Sequence, residues 1–111
     1  MGIQNWSENV ILVNLAAEPQ MSEELKTVIE IVRDQGNCDV VVDFAAVELV
    51  TSSSLAKLLK LHKALKNCGR QLILCGLNNR TRSVFNITEL ENIFEFAEDH
   101  FMALTSLQLT V

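Results

Sequence analysis

Only 5% of the 111 residues are aromatic, and the chain has one proline, four glycines and three cysteines. So few glycines and prolines exclude a collagen-like repeat, and so few cysteines exclude a disulfide scaffold. Cys38, Cys68 and Cys75 are odd in number and contain no CxxC spacing. They read as free thiols, buried or half-buried, in a reducing compartment, with no zinc site and no other metal. No apolar run approaches the about 18 residues of a membrane span, and Val10 to Ala17 is far too short. The opening MGIQNW has neither the basic start nor the apolar core of a signal peptide. Trp6 stands where a myristoylation pattern needs Ser or Thr. A soluble cytoplasmic protein is expected, and the N-x-S/T triplets at Asn5, Asn79 and Asn86 are then chance. Nucleotide-binding and hydrolase signatures are missing too: there is no GxSxG, Walker loop or GxGxxG.

What is present is ample Leu, Ile and Val, with 49% hydrophobic and 21% charged residues. Such a chain can offset its ordering entropy by burial, and its length suits one domain over residues 1–111. The formal net charge of −5 hides a strong segregation. Residues 1–50 carry nine acids and two bases, and residues 89–111 carry five acids and no base. Between them, residues 51–88 carry seven bases and no acid: Lys57, Lys60, Lys63, Lys66, Arg70, Arg80 and Arg82. A central basic block could meet lipid headgroups, an acidic protein or nucleic acid. It could equally be a solvated helix face balanced by acids folded against it. Nucleic acid fits worst, since the block holds one aromatic, Phe85, in an acidic chain.

The hydrophobic period changes repeatedly, as an α/β protein requires. Val10–Leu15 is a short strand-like run, with Ile3–Trp6 as its hairpin partner across Ser7-Glu8-Asn9. After a loop from Ala17 to Gln20, Ser22 suits a helix N-cap, with Glu23 and Glu24 in the first turn. Leu25, Val28, Ile29 and Val32 form one apolar helix face that Gly36 closes. Val40–Phe44 and Leu72–Cys75 read as strands buried on both faces. Residues 51–67 between them read as a helix whose apolar face is Leu55, Leu58, Leu59, His62 and Leu65. A short helix near Arg80–Phe85, a strand near Ile93–Phe96 and a helix from Asp99 to about Leu107 complete the chain. Alternating strands and helices predict a mixed, mostly parallel sheet of four or five strands with an antiparallel edge hairpin and about four helices.

Val50-Thr51-Ser52-Ser53-Ser54-Leu55 is the most unusual local sequence. It falls where a buried strand gives way to the basic helix, at the end of the sheet where α/β folds gather their ligand chemistry. With Thr51 as N-cap, the serines fill a first turn whose N–H groups lack intrahelical partners. A phosphate there would meet free donors and the positive end of the helix dipole, with Lys57 about a turn away. Plain capping explains the same residues. A serine nucleophile would need a base, and only His62 and His100 are available. Each reads better as a satisfied, half-buried histidine, and the acid pairs Glu23/Glu24 and Glu98/Asp99 as helix-start residues. No enzyme and no cofactor are expected.

Together, the run from Val40 to Phe94 resembles the STAS domain, specifically bacterial anti-sigma factor antagonists. Val41-Val42-Asp43-Phe44 matches the family's strand, Ser52-Ser53 its serine pair, and Leu55, Gly69, Phe85 and Leu90 the helix, loop and later helix that follow. Glu18 stands where the family often has Asp, just before its first helix. The resemblance covers roughly residues 8–105. It implies a compact α/β fold that works by protein–protein binding: the antagonist binds an anti-sigma factor that is also a serine kinase, phosphorylation of the first motif serine blocks the binding, and a serine phosphatase restores it. Carried onto this chain, Ser52 is the phosphoacceptor with Ser53 as second choice. The partner-binding set is then Glu18, Thr51, Ser52, Ser53, Ser54 and Lys57. Two positions depart from the family motif: Thr51 replaces its Asp and Ser54 its Gly. The resemblance also leaves room for an accessory subunit of a lipid or anion transport system, or a non-phosphorylated scaffold of a signalling assembly. No nucleic acid, no stable membrane insertion, and a monomer or weak dimer complete the expectation.

Overall fold

The computed structural model describes residues 2–108 of the chain. Its first elements are β1 (Gly2–Ser7) and β2 (Val10–Asn14), an antiparallel hairpin whose register shifts between Asn5 and Ser7. Next come α1 (Gln20–Gln35), β3 (Asp39–Asp43), α2 (Ser52–Asn67), β4 (Leu72–Cys75) and α3 (Asn79–Ile87). A single 3-10 turn at Leu90–Asn92 leads to β5 (Glu95–Ala97) and then to α4 (His100–Gln108). The five strands lie in the order β1-β2-β3-β4-β5, with every pair after the hairpin parallel. The predicted α/β architecture is the one observed.

The apolar strand runs are explained by what covers them. Alternate side chains of β2, β3 and β4 point to opposite faces of the sheet. Ile11, Val13, Val40, Val42, Leu72 and Leu74 face the core built with α1, α2 and Phe85. Leu12, Val41, Ile73 and Cys75 face a second, smaller core closed by Ala103, Leu104 and Leu107 of α4. With both faces covered, neither set of positions can be polar.

Four local expectations need correction. Helix α1 begins at Gln20 with Pro19 at its N-cap position, so Ser22 lies inside the first turn. The Glu18 carboxylate accepts from both the N–H and the hydroxyl of Ser22 at 2.9 Å. That carboxylate supplies the capping that Ser22 was expected to give. Helix α2 buries Leu61 along with Leu55, Leu58 and Leu65, while Leu59 and His62 are only half-buried. It packs on both the sheet and α1, which widens its buried stripe. The last strand starts at Glu95 rather than Ile93, because the 3-10 turn consumes the residues before it and leaves Ile93 exposed. Finally, Cys38 and Cys75 are buried, but Cys68 is exposed at the end of α2. Burial raises the Cys38 thiol and pushes Cys75 up to about 12.

Candidate functional site

The parallel strands all end at one edge of the sheet, and the loops leaving them carry the residues of interest. After β3, Phe44 N–H donates to the Cys75 carbonyl at 2.8 Å, and Val47 N–H turns back to the Phe44 carbonyl at 2.9 Å. The loop is held from the other side by α3. Asn78, the N-cap of α3, donates to the Val47 and Glu48 carbonyls at 3.4 and 3.2 Å. Its own Oδ1 accepts from Thr81 N–H at 2.7 Å. Val50 is buried, so the chain is anchored on both sides of the exposed Leu49 when it reaches Thr51.

Thr51 is the N-cap of α2, as its position predicts, and the cap is reciprocal. Its hydroxyl accepts from Ser54 N–H at 3.2 Å, and the Ser54 hydroxyl accepts from Thr51 N–H at 2.7 Å. Ser54 Oγ also donates to the Thr51 carbonyl at 2.8 Å. Ser54 is wholly buried at 0% exposure. The two departures from the family motif are therefore one device. A hydroxyl at the fourth position completes a capping box with a hydroxyl at the first. Truncating either residue alone leaves the other's polar atoms short of a partner. Thr51→Ala and Ser54→Ala should each lower unfolding free energy by about 1–2 kcal/mol. The double variant should lose clearly less than the sum, by on the order of 0.5 kcal/mol or more. Urea unfolding of the four proteins reads this cycle, and strict additivity would sink the coupling.

With Ser54 turned inward, the serines separate. Ser52 and Ser53 are exposed. Lys57 donates to Ser53 Oγ at 3.2 Å. Ser52 has no side-chain hydrogen bond among the described residues, and it sits at the first helical position of α2. Of the first-turn donors, Ser54 N–H goes to Thr51 Oγ1 and Leu55 N–H to the Thr51 carbonyl. The N–H groups of Ser52 and Ser53 are left for solvent or an anion. Thr51, Ser52, Ser53, Ser54 and Lys57 are thus brought together. Glu18 lies on the same edge, in the loop leaving β2, but its carboxylate is committed to Ser22 and no bond joins it to the serine turn.

The sequence did not show that Asp43 and His100 meet. Asp43, buried at the end of β3, accepts from Ala45 N–H at 2.9 Å through one oxygen. Its other oxygen is 3.2 Å from His100 Nδ1, at the start of α4. An acid ending an apolar run signals that some partner must satisfy it; nothing local names one 57 residues away. His62 packs edge-on against Phe94 with ring centroids 5.4 Å apart, so neither histidine reaches the serine turn. Among the described residues no three His, Cys, Asp or Glu side chains are grouped to hold a metal ion.

The expected balance of the basic block holds only in part. Arg70 pairs with Asp39 at 3.1 Å, and Arg82 with Glu91 at 3.8 Å while lying over the Phe96 ring. Lys57, Lys60, Lys63 and Lys66 of α2 make no ion pair among the described residues. No helix among those residues is long and apolar enough to cross a membrane.

Comparison with known proteins gives a consistent result. A family model described as the STAS domain matches residues 9–103. BtrV of Bordetella bronchiseptica, assigned by name as an anti-sigma factor antagonist, is 29% identical over 97 residues, covering 87% of this chain and 80% of that protein. An anti-sigma-factor antagonist (STAS) domain protein from Planctomyces limnophilus superposes with a TM-score of 0.79 at 18% identity, covering 96% of both chains. The phosphorylated form of SpoIIAA, a Bacillus cell fate determinant, gives 0.71 at 16% identity, covering 95% of this chain and 96% of its own. Its unphosphorylated form gives 0.75 at 14% identity, covering 98% and 97%.

Proposed function

The chain belongs to the STAS domain family, and from that premise we propose that it is an anti-sigma factor antagonist, switched off by phosphorylation of Ser52. In this reading it is a single cytoplasmic binding domain, not an enzyme. It engages an anti-sigma factor that is also a serine kinase, and a serine phosphatase returns it to the binding state. BtrV, assigned by name as an anti-sigma factor antagonist, and SpoIIAA, solved with and without phosphate, support the reading.

One observation carries the choice of residue. Of the three consecutive serines, one is buried in the capping box and one is held by Lys57, which leaves the Ser52 hydroxyl open to a kinase. Phosphorylation adds a charge of about −1.5 to −2. Within the chain that charge is welcome, beside two unbonded N–H groups at the positive end of α2. Toward a partner seated on the turn it brings repulsion, bulk and a desolvation cost. The exposed Leu49 beside the turn offers the apolar contact that a partner would cover.

The test is recovery of tagged protein from its host as wild type, Ser52→Ala and Ser52→Asp, with co-purifying proteins and the Ser52 peptide read by mass spectrometry. Wild type and Ser52→Ala should retain an ATP-binding kinase. Ser52→Asp should retain on the order of tenfold less, a loss of about 1.4 kcal/mol. Phosphate should appear on Ser52. Equal retention by both variants, or phosphate confined to Ser53, would overturn the assignment.

A further inference from the structure

A second surface is built on the unpaired cations. Two hollows adjoin between α1 and α2. One, of about 250 Å³, is lined by Lys26, Ile29, Glu30, Arg33, Lys57 and Lys60. The other, of about 400 Å³, shares Arg33 and Lys60 and continues past Lys63 and Ala64 to Cys68. Shared walls make them one trough. On the α2 side it runs from Lys57 to Cys68, about 17 Å at 1.5 Å per residue.

We propose that this trough docks an acidic helical segment of a partner protein. Five of its side chains are cationic (Lys26, Arg33, Lys57, Lys60 and Lys63), and none makes an ion pair among the described residues. Only one acid, Glu30, lines it. Elsewhere in the basic block, Arg70 and Arg82 each have a carboxylate partner, while Lys66 and Arg80 make no ion pair among the described residues. In a chain of net charge −5, acids were available for such pairing, but Glu30 alone lines the trough and it forms no ion pair among those residues. Glu30 apart, the charges facing one another across the two packed helices are alike and repel, and an occupant of opposite sign relieves that repulsion.

Shape selects among anionic occupants. The walls are two helices and the floor includes buried Ile29 and half-buried Ala64. A helix with a small apolar ridge between acidic flanks complements both features. A flat bilayer meets ridges rather than a trough, and a long nucleic acid would extend over the acidic remainder of the chain. The trough opens beside the serine turn through Lys57, which also holds Ser53. Its occupancy does not depend on Ser52 being modified, so it stands or falls apart from the phosphorylation switch.

The test is an NMR titration of the isotope-labelled full chain with a synthetic Glu-rich amphipathic helical peptide. Phosphatidylglycerol vesicles and duplex DNA form separate arms. The peptide should shift amides in residues 26–33 and 57–68 and lose affinity as salt is raised. A Gln-for-Glu version of the peptide should leave them unmoved. Arg33→Glu combined with Lys60→Glu should weaken binding about tenfold or more while the circular dichroism spectrum and thermal midpoint stay those of the wild type. Ser52→Ala should titrate as the wild type does. Absence of peptide shifts, shifts scattered over every surface lysine, or stronger shifts of the same amides by vesicles or DNA would each overturn the proposal.

Discussion

Gly76→Ala should lower the unfolding free energy by about 3 kcal/mol or more, whereas Gly69→Ala should cost only about 1–2 kcal/mol. Both glycines hold left-handed backbone, with φ of +71° and +69°, and so carry the same intrinsic penalty for a side chain. They differ in surroundings. A Cβ on Gly69 meets nothing within 4 Å. One on Gly76 would lie 2.5 Å from Asp43 Oδ1 and 3.2 Å from the Ala45 nitrogen. The carboxylate has no easy retreat, since that oxygen holds Ala45 N–H and the other faces His100. Moving it takes the Ala45 N–H from its partner and unfastens the start of α4. Urea unfolding of the two variants beside wild type separates backbone strain from collision. Equal losses in both would refute the collision.

Phe85→Ala should cost about 3–5 kcal/mol, the range for truncating a buried aromatic ring. Thr81 and Phe85 are the only buried residues of α3. The Phe85 ring meets Phe94 and Phe96 edge-on, with centroids 5.6 and 5.4 Å apart. It therefore ties α3 to both the chain before β5 and β5 itself. Beyond its area burial, each such pair contributes about 0.5–1.5 kcal/mol. Against a total stability of about 5–15 kcal/mol for a small domain, the variant should sit near its folding threshold. Hydrogen exchange should quicken most over residues 79–97. A loss below about 1.5 kcal/mol, or exchange that quickens evenly throughout, would show that α3 is held by something else.

The central strands were legible because burial on both faces leaves no choice but β-branched and apolar residues, as in Val40-Val41-Val42. The cap at Thr51 and the stop at Gly36 were legible because each is a local backbone requirement. Other features turned on a side-chain contact or on an element too short to carry a pattern. Ser22 has the residue type of a cap, but Glu18 reaches across and starts the helix sooner. Strand β5 pairs on one side only and is three residues long, too little for a period to register. The candidate site divides similarly. Its position at a helix start was visible, while the inward turn of Ser54 emerged only with its partner Thr51 in place. The bond between Asp43 and His100, and the meeting of the α2 lysines with Lys26 and Arg33 of α1 and with one acid, Glu30, are facts of tertiary arrangement.

Strand order carries a last consequence, for the order in which the molecule can be made. Because the sheet runs β1-β2-β3-β4-β5, no strand has to slot between two that are already joined. Each one emerging from the ribosome finds its neighbour already laid down, and synthesis delivers the N-terminal part first. The face lined by Leu12, Val41, Ile73 and Cys75 is the exception, since α4, which covers it, follows all five strands and is the last of the described helices to be delivered. A nascent chain halted before His100 would hold a paired sheet with one apolar side bare. Such a stalled chain is the form in which this protein would most need a chaperone.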